Sequence, residues 1–187
     1  LEDLTIAGTV RVNDGAHNLQ LVGGIVNTGQ IEVTGANWNN DLLIESEVTL
    51  TGGGEILLSG NHSRILDESG LIEGRLVNQD NTIRGRGHIG ANRLVQIVSN
   101  GPIVGESAAL PLRITAPLSG TGPLENVQIS STHAPGESTA AIDLDGLYKL
   151  TNSATLQIEI GGPTPGDEFD QLNSTDTVEL DGALEVM

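Results

Sequence analysis

The side chains best suited to chemistry in this sequence are carboxylates. Asp143-Leu144-Asp145-Gly146 separates two acids by one apolar residue, which on a strand puts both on one face. Asp167, Glu168 and Asp170 crowd a second acidic stretch. Hard cations such as calcium take several oxygen ligands of this kind. A weak calcium site is therefore the metal chemistry to look for, at Asp143 and Asp145 or at Asp167, Glu168 and Asp170. Against it, the calcium-binding repeat of toxin solenoids is absent. A solvated acidic edge that discourages sheet-to-sheet pairing is the simpler expectation.

The other reactive residue types assemble nothing. His17, His62, His88 and His133 lie far apart, none at a zinc-site spacing, and are expected as solvated turn residues. There is no Gly-x-Ser-x-Gly elbow and no phosphate-cradling glycine motif ahead of a helix. A polysaccharide lyase or hydrolase would need a cleft, paired carboxylates and aromatic platforms for sugar rings. Trp38, Tyr148 and Phe169 are the only aromatics. No catalytic or cofactor-binding residue is assigned, and the chain reads as a non-enzyme. Asn61-His62-Ser63 and Asn173-Ser174-Thr175 match a glycosylation sequon, a weak signal that a bacterial source would make irrelevant.

Charge narrows the partners. The net charge is −17, from 25 acidic and 8 basic residues. That opposes nucleic acid, whose binding rests on Lys and Arg against phosphate, and it opposes an anionic membrane surface. No apolar run is long enough for a membrane span, so no direct membrane insertion is expected. Five of the seven arginines fall between Arg64 and Arg93. They are expected to pair with acids on neighbouring rungs, the alternative being a local anion site. With no cysteine, disulfides and thiolate metal sites are excluded.

The elements that must carry these residues are short strands. Val26-Asn27-Thr28-Gly29-Gln30-Ile31 recurs in outline as Val77-Asn78-Gln79-Asp80-Asn81-Thr82-Ile83 and as Val98-Ser99-Asn100-Gly101-Pro102-Ile103. Apolar and polar residues alternate in Leu4–Val12, in Gln30-Ile31-Glu32-Val33 and in Leu156-Gln157-Ile158-Glu159-Ile160. No window carries an apolar stripe at helical spacing. A period of roughly 20 to 25 residues without helices predicts an all-β fold, a single-stranded parallel β-solenoid (β-helix) of about eight rungs. Suggested rung starts are Leu1, Ile25, Val48, Leu71, Arg93, Leu118, Ile142 and Pro163. Ile31, Ile83, Val98, Ile103 and Ile158 are expected in the interior.

Aliphatic residues must fill that interior, because aromatics are only 2% of the chain. All seven prolines lie between Pro102 and Pro165, which predicts proline-bearing corners in the later half. Residues 1–187 read as one continuous domain, with a protruding loop or minor boundary at 161–170. Leu1 opens within a strand-like phrase, and Val178–Val186 is strand-like to the end. The chain therefore reads as a segment whose ends are covered by flanking rungs of a parent chain or by end-to-end self-association.

The later half carries a further pattern: Gly120-Thr121-Gly122-Pro123-Leu124, Ala134-Pro135-Gly136-Glu137-Ser138, Asp145-Gly146-Leu147-Tyr148, Ala154–Gly162 and Pro165–Leu172. Asn81-Thr82-Ile83-Arg84-Gly85-Arg86-Gly87-His88-Ile89-Gly90 adds to it. Together these phrases resemble the β-strand repeat regions of bacterial autotransporter passengers and related exported surface β-solenoid proteins, chiefly over residues 77–187. The resemblance implies a right-handed solenoid at the bacterial cell surface or in the extracellular space, acting as stalk, scaffold or filament unit. An adhesin that binds glycan or protein along a solenoid face is the alternative, and a polysaccharide lyase or hydrolase the third reading.

Overall fold

Strict alternation makes the strands. In Gln30–Val33 and Glu55–Leu58 every second side chain is buried and the one between is not. The computed structural model describes residues 1–67, 74–91 and 95–187. Among them there are nineteen strands and no helix, so no helix is long and apolar enough to cross a membrane.

The strands stack as a parallel β-solenoid. One face carries Val10, Ile31, Ile56, Ile83, Ile103, Leu124 and Leu144 in direct register. A second carries Leu19, Leu42, Ile65, Ile89, Ile114, Ile129, Leu150 and Leu180. The third includes Val48, Leu76, Ile97, Leu118, His133, Leu156 and Leu184. Each column points into one core that runs from Ile6 to Leu156. Like stacks on like at the strand spacing of about 4.8 Å, so branched aliphatic side chains fill most of the interior, with Tyr148 buried among them.

The stack has about six turns, slightly fewer than the eight rungs expected. Asn18–Asn27, Asn40–Thr51 and Ala141–Ile158 turn a corner unbroken and each serve two faces, so strand ends do not mark the rungs. The expected starts Ile25, Val48 and Ile142 accordingly fall inside strands, while Leu118 does open one. Leu71 and Arg93 lie outside the described residues.

The recurring Asn phrase is a corner. Asn27, Asn78, Asn81 and Ser99 are buried polar residues turned into the bend. Asn27 Nδ2 donates to Asn81 Oδ1 at 2.9 Å, and Asn78 Nδ2 donates to Ser99 Oγ at 2.9 Å. Asn78 Oδ1 accepts from the Asn81 amide at 3.0 Å. The bend's backbone is thereby satisfied from inside, as burial requires. Asn40 and Ser63, paired in register, do the same at a second corner. In the later half Pro102, Pro111, Pro117 and Pro123 each immediately precede a strand, where a missing N–H costs nothing.

Of the residues expected inside, Ile31, Ile83, Val98 and Ile103 are buried. Ile158 is only partly so, because its outer neighbour Val186 belongs to the exposed last strand. Ile160 breaks the alternation and is 57% exposed. Its strand ends at Ile158, and Ile160 bridges antiparallel to Phe169 across the base of the 161–170 loop.

Candidate functional site

The two carboxylate groups meet different fates. Asp143 and Asp145 stand outward on one strand, either side of buried Leu144, as the one-residue spacing requires. They line an open groove of about 710 Å³ together with Glu125, which pairs with Asp145 in register on the preceding rung. Asp143 accepts from Asn173 Nδ2 at 3.2 Å, and Asp145 accepts from the Gly146 amide at 2.9 Å. The second group does not converge. Asp170 is buried, and its two oxygens take the amides of Ala140 at 2.7 Å and Glu159 at 2.8 Å. Glu168 folds back on the amide and hydroxyl of Thr164. Asp167 offers its carbonyl to Thr139 Oγ1 at 2.7 Å. Asp170 thus staples the protruding loop to the rung beneath it. Among the described residues no three His, Asp or Glu side chains gather as a metal-binding group.

The histidines divide, which corrects the expectation that all four are solvated turn residues. His17 and His62 are exposed outside strands. His133 lies within a strand and is 1% exposed, stacked between Leu118 and Leu156. Its Nδ1 shares a 2.6 Å hydrogen bond with the hydroxyl of Tyr148, itself fully buried. Burial pushes the imidazole down to about 4 and the phenol upward. The pair is a closed polar island in an aliphatic core: each ring supplies the partner that the other's polar atom needs.

Several arginines do pair with acids on neighbouring rungs, and Arg75 also reaches a more distant one. Arg64 grips Asp41 through Nε at 2.6 Å and Nη2 at 2.7 Å. Arg75 meets Glu47 at 2.9 Å and Glu137 at 2.8 Å. Arg84 meets Glu55 at 2.5 Å, and that guanidinium, with help from Gln30, holds the Glu55 carboxyl below its usual range. Arg93 lies outside the described residues.

Two arginines escape full pairing. Arg86 approaches Glu106 only to 3.5 Å, and its buried Nε has no hydrogen-bond partner. Arg113 has no carboxylate partner among the described residues and donates only to the Asn61 carbonyl, at 3.2 Å. Both line an open groove of about 670 Å³ with Arg64, His62, His88 and Gln128. Arg64, His88, Arg113 and Gln128 of the groove belong to one outward row in register, Asn18, Asp41, Arg64, His88, Arg113, Gln128, Lys149 and Glu179. Desolvation, then the charges of Arg113 and Arg64, hold His88 down to about 4.

This row escaped the sequence reading, yet a signal was present. Arg64-Ile65, His88-Ile89, Arg113-Ile114 and Gln128-Ile129 share one form, a polar residue directly before a core isoleucine. Aligning the rungs on those isoleucines would have stacked the cations. The chain matches no protein-family model, no curated protein and no solved structure.

Proposed function

We propose that this chain is a structural β-solenoid module of an exported bacterial surface or extracellular protein, serving as stalk, scaffold or filament unit. The observation that carries the reading is the single aliphatic core, threaded by every face from one end to the other. Such a core makes a rod whose length scales with the number of rungs and whose contacts are all between neighbours. The last strand, Val178–Val186, supports the same reading. All of it is exposed, including Leu180, Leu184 and Val186. An open edge of that kind is a template for another strand. We infer that flanking rungs or a second copy cover it. No reaction is assigned to the chain in this reading. The surface location rests on the resemblance of residues 77–187 to autotransporter passenger repeats.

The test is protease treatment of intact cells of the source organism, followed by immunodetection of this segment. Loss of signal from intact cells, with a cytoplasmic control protein spared, supports surface exposure. A segment protected until the cells are lysed overturns the location. Small-angle scattering from the purified chain tests the fold: a scattering curve that a stacked solenoid of about six turns does not fit would overturn the structural role. The adhesin reading is favoured by one observation, the arginine-lined groove.

A further inference from the structure

Cations are scarce in this chain, eight against 25 acids. Yet three arginines share one groove in which, among the described residues, Asp41 and Glu106 alone oppose them. A solenoid stacks equivalent positions about 4.8 Å apart, so like charges in one row repel unless an acid intervenes. Elsewhere the acid does intervene: Arg11 faces Glu32 and Lys149 faces Glu179 in direct register. Between Arg64 and Arg113 the intervening residue is His88, which is uncharged at neutral pH. Arg113 is exposed with no acid in reach among the described residues, and Arg86 holds Glu106 only at 3.5 Å.

We propose that this groove binds an acidic glycan, with Arg113 and Arg86 taking the carboxylates of its uronate residues. The guanidinium fork matches a carboxylate and is the group to place where planar anions are held. The rest of the lining fits the remainder of a sugar. Asn39, Asn61 and Gln128 bring side-chain amides, which donate to and accept from hydroxyls. Trp38, beside Asn39 in the chain, is 61% exposed. The row runs along the rod, so an extended chain can cross several rungs in one orientation. A nucleic acid would meet the repulsion of the whole −17 chain, spread over many phosphates. A short uronate chain presents few charges and many hydroxyls. The inference goes beyond the structural role, which stands or falls on rod shape and location.

The test is titration calorimetry of the intact chain with tetragalacturonate at low salt. Its controls are the neutral tetramer cellotetraose, inorganic phosphate and a deoxynucleotide tetramer. Binding of tetragalacturonate alone is expected, weakening as salt rises. Arg113→Gln should lower affinity at least about tenfold, the loss of one charge-assisted hydrogen-bonding fork. Arg113 is exposed, so circular dichroism of the variant should match the parent. Arg113→Lys keeps the charge without the fork and should fall between. No binding of tetragalacturonate, equal affinity in Arg113→Gln, or equal or tighter binding of cellotetraose, phosphate or the deoxynucleotide would each overturn the proposal.

Discussion

The buried His133–Tyr148 pair makes stability depend on pH in a direction set by burial. The imidazole titrates near 6.5 when unfolded and is pushed down to about 4 in the fold. Between those values the unfolded chain binds a proton that the native chain does not. Stability therefore rises with pH across this window; the contribution is present above 6.5 and is lost as pH falls toward 4. A full shift of this size corresponds to about 3 kcal/mol, of which roughly 2 kcal/mol is lost between about pH 6.5 and pH 4.5. That is a sizeable part of a typical folding free energy of about 5–15 kcal/mol. The comparison protein is His133→Leu combined with Tyr148→Phe. It removes the titrating ring and its partner together, so neither is left unsatisfied. His133 stacks between Leu118 and Leu156, so leucine continues an existing column. Urea unfolding of both proteins across the window is the assay. The surface carboxylates are common to both, so the difference between the two curves isolates the pair. Parallel curves from pH 6.5 to 4.5 would refute the burial argument.

Other perturbations test the columns, the staple and the open edge. Ile83→Asp puts a carboxylate among fully buried aliphatic neighbours and should cost several kcal/mol, whereas Glu32→Gln alters an exposed pair with Arg11 and should cost under about 1 kcal/mol. Equal thermal midpoints for the two variants would contradict the assigned faces. Asp170→Ala strips the partner from the Ala140 and Glu159 amides and should cost about 2 kcal/mol or more in urea unfolding, with limited proteolysis now cutting within residues 161–170. Cleavage unchanged from the parent would mean that the loop is held some other way. Sedimentation of the isolated chain should show concentration-dependent association through Val178–Val186, suppressed by Leu184→Lys. A strict monomer at high concentration would count against self-covering of that edge.

Much of the fold was legible because alternation, corner residues and the lack of helical stripes agree with one another. Ile31, Ile83 and Ile103 could be set inside from their phrases alone, and they stack in one column. The rung starts were less legible because corners here need not break a strand. Asn18–Asn27 and Ala141–Ile158 pass round them with a shift in register, at Val22/Gly23 and Leu150/Ala154 respectively. Gly23 and Asn152 mark these corners, but a punctuation rule reads such residues as strand ends, whereas the strands continue through them. His133 was misread for a related reason. Histidine in a phrase rich in Ser and Thr looks like a turn, and only the fold brings Tyr148, fifteen residues on, against it. Asp170 looked like part of an acidic loop cluster, whereas two backbone amides claim it. Side-chain direction at a loop base is not encoded in local composition.

The distribution of charge separates the part of this rod that serves only the fold. Stacking makes each surface position meet its counterpart one rung away, so a charge placed once is repeatedly tested against its own row. Arg11–Glu32, Arg64–Asp41, Arg75–Glu47 and Lys149–Glu179 answer that test with opposite signs in direct register. Arg64 and Arg113, two rungs apart and so about 10 Å from each other, do not. Their repulsion is roughly 0.5–2 kcal/mol before screening by salt, and an acid at position 88 would turn it into attraction. A chain with 25 acids had ample means to place one there. Departures from local rules concentrate where function opposes stability. By that criterion Arg113, with Arg86 beside it in the groove, is what the proposed glycan would account for, whereas Arg64 is already taken by Asp41.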